Sequence, residues 1–125
     1  MSPRAAGATA HELSRIGLLA TLPGEMLAKL AQRMRREDVA AGTSVVTEGD
    51  DGDRFYVVLR GMLAVSQATR GPQRVLRPGD YFGEVAATMR IPRTASVHAL
   101  TPATLASCDR ETFDLYVRPL FADDE

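Results

Sequence analysis

Residues 82–99 read FGEVAATMRIPRTASVHA, and this stretch decides how the rest of the chain is interpreted. Glu84 and Arg93 stand nine positions apart in it, on either side of a segment that favours a short helix. Gly83 precedes that segment and permits backbone conformations that other residues avoid. N–H groups at a helix start attract an anion, and an arginine adds a planar fork of donors. The stretch therefore predicts a site for a ribose and a phosphate.

The same stretch resembles the phosphate-binding cassette of cyclic-nucleotide-binding domains, of the catabolite activator protein and protein kinase A regulatory subunit type. The matching positions are Phe82, Gly83, Glu84, Ala86, Pro92, Arg93, Thr94, Ala95, Ser96, Val97 and Ala99. Outside the cassette the family's order is kept at Gly42, the turn 48–50, the run 55–61 and the turn 78–80. The resemblance covers about residues 13–117. Each dipeptide alone is a weak signal, whereas the whole ordered set is specific.

The resemblance implies a role for each polar residue of the cassette. Glu84 matches the family's acid that accepts a hydrogen bond from the ribose 2'-hydroxyl. Arg93 matches the arginine that pairs with the exocyclic oxygens of the cyclic phosphate, helped by the backbone N–H groups of residues 83–86. The candidate ligand-binding residues are Phe82, Gly83, Glu84, Val85, Ala86, Arg93, Thr94 and Ala95.

The resemblance further implies a regulatory sensor without enzymatic activity, which relays ligand binding to an attached effector domain or a partner protein by moving its helices. The ligand is a cyclic nucleotide, and no cofactor is expected. Threonine at position 94 also occurs in cGMP-dependent protein kinases, where its hydroxyl can accept a hydrogen bond from the guanine amino group. Relatives that bind cAMP carry threonine or serine there too, and we favour cAMP over cGMP.

Two alternative functions remain open from the sequence. The first is a degenerate β-roll scaffold for protein interaction that no longer binds nucleotide, although Glu84 and Arg93 are both retained. The second is a metal-dependent barrel enzyme of the cupin kind. Such an enzyme needs several histidines and acids on neighbouring strands, and His98 is the single histidine in a predicted strand.

Composition excludes several other classes of function. The chain has 125 residues and a formal net charge of −1, which suits one globular domain and gives no electrostatic case for binding nucleic acid. One cysteine, Cys108, permits no internal disulfide and is predicted to be a small buried residue. Without an apolar signal peptide or a membrane-length apolar run, a cytoplasmic location is expected. Arginine outnumbers lysine heavily, which hints at a GC-rich bacterial genome.

The predicted fold is mainly β with flanking α-helices: a double-stranded, jelly-roll-like antiparallel β-roll. N-terminal helices, a short phosphate-cassette helix and a C-terminal helix accompany the roll. Turn signals between short apolar runs from Val39 onward carry this prediction. The predicted divisions are a disordered segment 1–9 and a cyclic-nucleotide-binding domain 10–125, with N-terminal helices 10–38, β-roll 39–108, cassette 82–96 and C-terminal helix 109–125.

Four further expectations concern particular segments. Two helices are predicted, from Ala10 to Ala20 and from Pro23 to Arg36. The basic side chains at positions 33, 35 and 36 are then expected to lie at the C-terminal end of the second helix, where positive charge interacts favourably with the helix dipole. Pro119 is predicted to interrupt the C-terminal helix, so that the helix covering the base in the family is largely missing. The acidic turn 48–53 resembles a calcium loop in composition but lacks its bidentate glutamate, which indicates a solvated turn.

Overall fold

Two four-stranded antiparallel sheets form the centre of the computed structural model, which describes residues 8–121. The strands are Arg35–Val39 (β1), Ser44–Val46 (β2), Phe55–Arg60 (β3), Leu63–Gln67 (β4), Gly71–Leu76 (β5), Tyr81–Phe82 (β6), Ser96–Ala99 (β7) and Ala103–Cys108 (β8). One sheet has the order β1-β8-β3-β6 and the other β2-β7-β4-β5. The chain crosses repeatedly between the sheets, so the predicted antiparallel β-roll with flanking helices is confirmed.

Short helical segments flank the roll. They are Ala10–Leu13 (α1), a 3-10 turn Leu19–Thr21, Gly24–Arg33 (α2), Glu84–Met89 (α3), Arg110–Thr112 (α4), a π-helical turn Phe113–Val117 and Arg118–Phe121 (α5). Thr9 begins α1 with a capping box: its hydroxyl accepts the Glu12 N–H at 3.1 Å, and the Glu12 carboxylate accepts the Thr9 N–H at 3.1 Å. Asp109 caps α4, and its carboxylate accepts the Thr112 N–H at 2.9 Å.

Strands β3 and β8 are buried on both faces, because two apolar cores meet on them. Phe55 and Val57 of β3 face the helices, where they pack in the same cluster as Leu30 and Phe113. Their alternate neighbours Tyr56 and Val58 pack between the two sheets. Strand β3 therefore packs against the helices on one face and between the sheets on the other.

The N-terminal helical region is shorter than predicted. Helix α2 ends at Arg33 rather than Arg36, and the next residues enter β1, where Arg35 pairs with Ser107 of β8. The helix between Ala10 and Ala20 is also broken, since α1 ends at Leu13. Tertiary pairing with β8 outweighs the helix-favouring pattern at the boundary. Of the three basic residues assigned to the helix end, only Arg33 lies there.

The C-terminal segment continues through Pro119 instead of stopping at it. Proline lacks an N–H group and its ring clashes with the carbonyl four residues earlier. The π-helical turn widens the helix at this point, and the Arg118 N–H donates to the Phe113 carbonyl across five residues. Helical structure therefore reaches Phe121. The predicted disordered segment, apart from Ala8 and Thr9, and the last four residues of the predicted C-terminal helix lie outside the described residues.

Cys108 is buried, as predicted, and burial raises the pKa of its thiol to about 12. It is therefore a packing residue of β8 rather than a reactive thiolate at neutral pH.

Within residues 8–121, no three His, Cys, Asp or Glu side chains come together in a group that could hold a metal ion. None of the helices in this part of the chain is long and apolar enough to cross a membrane.

Candidate functional site

Gly83 turns the chain from β6 into α3 in a conformation that favours glycine. Its φ is +92°, in the left-handed region. A Cβ atom at this position would lie 2.5 Å from the carbonyl oxygen of Arg54 and 3.1 Å from Nη1 of Arg93. The glycine thus brings the start of α3 and the Arg93 guanidinium close together, and Glu84 becomes the first residue of the helix.

Arg93 is only 6% exposed although it carries a charge. Its Nη2 donates to the Arg54 carbonyl at 3.2 Å, and the guanidinium lies 5.9 Å from the centre of the Tyr56 ring. That ring stacks on Phe82 with the centroids 4.7 Å apart. The main chain is held as well: the Arg93 N–H donates to the Asp50 carbonyl, and the Gly49 N–H donates to the Arg93 carbonyl, both at 2.9 Å. The arginine is therefore fixed before any ligand arrives.

One nitrogen of this guanidinium, Nη1, is buried without a hydrogen-bond partner among residues 8–121. Burial lowers the pKa of Arg93, while the nearby Tyr56 and Asp53 raise it. Arginine stays charged in proteins, so the group remains a cation with one side uncompensated. A buried unpaired donor on a cation costs free energy, and native proteins rarely keep one without a reason. An anion is the natural complement.

Nη1 belongs to a side chain that lines a cavity of about 210 Å³ between the cassette and the second sheet. All eight residues predicted as ligand-binding line it, and Glu84 is half-buried there. The predicted residues are thus brought together around one hollow, while their contacts with a ligand stay a prediction. The N–H groups of the first helical turn have no acceptor within a helix, so α3 adds donors beside the guanidinium.

Sequence reasoning missed four residues of the cavity wall, which are Val46, Val65, Arg74 and Val97. They form a row across the second sheet, since Val97 pairs with both Val46 and Val65, and Val65 pairs with Arg74. Only strand register places them side by side. Alternation within each strand is a sequence signal, but it does not say which strands are neighbours.

Cavity size alone would point elsewhere. A hollow of about 430 Å³ is lined by residues that include Asp53, Tyr56 and Arg93, and one of about 410 Å³ lies between Glu12, Arg15 and Arg60 at the other end of β3. Neither of these larger hollows is lined by Gly83 or Glu84, and the second is not lined by Arg93. The smaller cavity is the candidate site because an unmet charge, the glycine turn and an acid converge on it.

The acidic turn before β3 is not solvated throughout, contrary to the sequence prediction. Asp50 and Asp51 are exposed. Glu48, however, accepts the Ala68 N–H at 2.8 Å, and Asp53 pairs with Arg110 at 3.6 Å. Both side chains are therefore engaged by other elements of the fold, which spacing along the chain does not reveal.

Comparison with known proteins places these features in a family. The family described as "Cyclic nucleotide-binding domain" matches residues 36–118. The chain is 37% identical over 108 residues to the cAMP-dependent protein kinase regulatory subunit of Eremothecium gossypii, covering 86% of this chain and 24% of the relative. It is also 37% identical over 108 residues to the cGMP-dependent protein kinase, isozyme 1, of Drosophila melanogaster, covering 81% of this chain and 14% of the relative.

A solved structure matches the fold. The regulatory domain of Toxoplasma gondii PKA in a co-crystal with cAMP superposes with a TM-score of 0.82 at 27% identity, covering 89% of this chain and 44% of that one. The chain spans about a quarter of the length of the fungal regulatory subunit that it matches. These relatives are eukaryotic and lend no support to the bacterial origin inferred from composition. With the family matched over most of its length and the cassette residues gathered around one cavity, the chain belongs to the cyclic nucleotide-binding domain family.

Proposed function

We propose that the chain is a regulatory module that binds cAMP in the cavity beside Arg93 and performs no chemical reaction on it. The observation that carries this proposal is the buried, unpartnered Nη1 of Arg93 facing the glycine turn. A cyclic phosphate supplies the missing negative charge and acceptors. The relatedness to a cAMP-dependent protein kinase regulatory subunit supports the choice of nucleotide.

Different residues around the cavity would contact the phosphate, the ribose and the base of such a ligand. Arg93 and the N–H groups at the start of α3 would hold the phosphate, and the half-buried Glu84 carboxylate would accept a hydrogen bond from the ribose. Each charge-assisted hydrogen bond contributes about 1.5–3 kcal/mol. The valine row of the second sheet offers apolar surface to the sugar and base. Together these contributions are enough for micromolar binding or better.

Binding would be relayed through the helical segments next to the cassette. The Tyr81 ring, immediately before Phe82, lies 5.5 Å from the ring of Phe121 in α5, and Phe121 lies 6.2 Å from Phe113. A ligand shifts such elements only by its different affinity for two arrangements. We infer that an effector attached to this module, or a partner protein, senses the position of the C-terminal helical segment.

Calorimetry with cAMP tests the proposal directly. We expect saturable binding to the unaltered protein and a Kd about 5-fold to 10-fold higher for Glu84→Gln, because a charge-assisted hydrogen bond is replaced by a weaker neutral one. Glu111→Gln is the matched control, since Glu111 is an exposed acid on α4 away from the cavity, and its affinity should not change. If neither cAMP nor cGMP gives a binding signal at millimolar concentration, the alternative function is favoured, in which the chain is a scaffold for protein interaction that no longer binds nucleotide.

A second candidate ligand is cGMP, and Arg74 favours it. This arginine lies in β5 and lines the cavity, as does Thr94 of the cassette. Guanine presents two acceptors, O6 and N7, on one edge, whereas adenine presents an amino donor beside N7. A guanidinium only donates, so it matches guanine and opposes the adenine amino group.

The ratio of the two affinities decides between the nucleotides. If Arg74 contacts a guanine edge, Arg74→Ala should lower cGMP affinity about 5-fold to 150-fold and leave cAMP affinity nearly unchanged. Paired titrations of both nucleotides against the unaltered protein and the variant measure this. An unchanged ratio assigns Arg74 no part in base choice and removes the support for cGMP.

A further inference from the structure

Two polar side chains that do not line the cavity tie its parts together. The Glu48 carboxylate accepts the Ala68 N–H at 2.8 Å, and the Glu48 N–H donates to the Ser96 hydroxyl at 2.9 Å. The Gln67 side-chain amide donates to the Thr94 carbonyl at 2.8 Å. We call Glu48 and Gln67 the clasp. Its bonds join residues 20 to 48 positions apart, so they connect elements rather than shape one turn.

The clasp acts where the regular sheet pairing ends. Backbone pairing of β4 with β7 reaches Ser66 opposite Ser96 and goes no further. Arg93 and Thr94 precede β7, outside the ladder. The Gln67 amide extends the connection to Thr94, and the Glu48 carboxylate fixes the first residue after β4. These two bonds attach the tip of the β4–β5 hairpin to the cassette and to the turn that contains Glu48.

The two elements joined in this way carry opposite walls of the cavity. The β4–β5 hairpin supplies Val65 and Arg74, and the cassette supplies Arg93 and Thr94. The turn that contains Glu48 is itself bonded to the Arg93 main chain through Gly49 and Asp50. The clasp therefore adds to the β4–β7 ladder in setting the spacing between the walls.

We propose that Glu48 and Gln67 are positioning residues for nucleotide binding, which hold the β4–β5 hairpin at a fixed distance from the phosphate-binding segment. This inference rests on the proposed function. A ligand that touches both walls binds more tightly when they are already ordered, because ordering does not then oppose binding. The clasp acts on affinity through Arg93, Thr94 and the hairpin, without touching the nucleotide.

Substitutions that remove or keep single bonds test this role. Glu48→Ala removes the acceptor for the Ala68 N–H, whereas Glu48→Gln retains a side-chain oxygen. Gln67→Leu removes the donor with little change of volume. We expect the cyclic-nucleotide Kd to rise about 10-fold for Glu48→Ala and for Gln67→Leu, and to stay within about 3-fold for Glu48→Gln. Gln73→Leu is the matched control, since the Gln73 amide bonds only within its own hairpin.

A readout without nucleotide tests whether the clasp orders the hairpin in the ligand-free protein, and nucleotide titrations of the unaltered protein and the variants separate this inference from the proposed function. In ligand-free protein, hydrogen exchange of the Ala68 amide should be on the order of 10-fold faster in Glu48→Ala than in the unaltered protein, and restored in Glu48→Gln. If the unaltered protein binds no cyclic nucleotide, the proposed function fails, and the positioning role fails with it even where the Ala68 result is as expected. If the protein binds nucleotide but both clasp variants bind it equally well, only the positioning role is overturned. Equal loss of affinity in Glu48→Gln and Glu48→Ala, tracking loss of stability, also overturns it.

Discussion

Arg93→Ala is expected to raise the Kd for cyclic nucleotide by at least about 30-fold, which corresponds to about 2 kcal/mol or more. The guanidinium is held by the Arg54 carbonyl and by the Tyr56 ring, so in the proposed function its unpaired nitrogen would meet an anion without a large rearrangement. An alanine removes the charge and its hydrogen bonds at once. Calorimetry on the unaltered protein and the variant under the same conditions measures the difference.

The same substitution should affect the ligand-free protein far less. It deletes a buried cation with an unpaired nitrogen, which is unfavourable, together with one hydrogen bond and a ring contact, which are favourable. We expect the free energy of unfolding without ligand to change by no more than about 1 kcal/mol, while the stabilisation by saturating nucleotide falls by about 2 kcal/mol or more. Arg60→Ala, at the exposed end of β3, is the matched control. Strong nucleotide binding by Arg93→Ala would contradict the assignment of the phosphate site.

Gly83→Ala is expected to be the most damaging single change in the cassette. The methyl group would meet the Arg54 carbonyl oxygen at 2.5 Å, and a β carbon is disfavoured at φ +92° in any case. Relief of the overlap must move either Arg54, whose carbonyl accepts a hydrogen bond from Arg93, or the start of α3, which lines the cavity. We expect a loss of about 3 kcal/mol or more in the free energy of unfolding, with nucleotide binding lost as well. Urea denaturation and thermal shift with added nucleotide report the two effects.

Gly42→Ala separates the two causes. Gly42 has φ +89°, and nothing lies within 4 Å of the Cβ position there, so only the backbone cost applies. We expect a loss of about 1–2 kcal/mol for this control and unchanged nucleotide affinity. Equal losses for the two glycines would mean that the close approach at Gly83 has no consequence of its own.

Which residues the fold gathers around the cavity is easier to predict from the sequence than where its helices begin and end. Phe82, Gly83, Glu84 and Arg93 are recognisable because their chemistry requires particular residue types at particular spacings, and the fold gathers them around one cavity. The row of Val46, Val65, Arg74 and Val97 depends on strand register, which is set by pairings far apart in the chain. No local pattern contains that information.

Two predicted element boundaries are wrong, for different reasons. Arg35 and Arg36 continue a helix-compatible pattern, yet pairing with β8 draws them into a strand. Pro119 should break a helix by local rules, yet it follows a π-helical turn as the second residue of α5, and the segment continues. A tertiary pairing outweighs the local preference at β1, and a change of helix geometry accommodates the proline at the other end.

Burial of β3 and β8 on both faces makes unfolding of the helices depend on unfolding of the sheets. The helices cannot detach without exposing Phe55 and Val57, and the strand that bears them also bears Tyr56 and Val58 of the other core. Melting of either layer therefore removes the support of the other, and the chain should lose its structure in a single cooperative step. A nucleotide bound at the cassette would then protect the N-terminal helices from a protease as strongly as the strands around it.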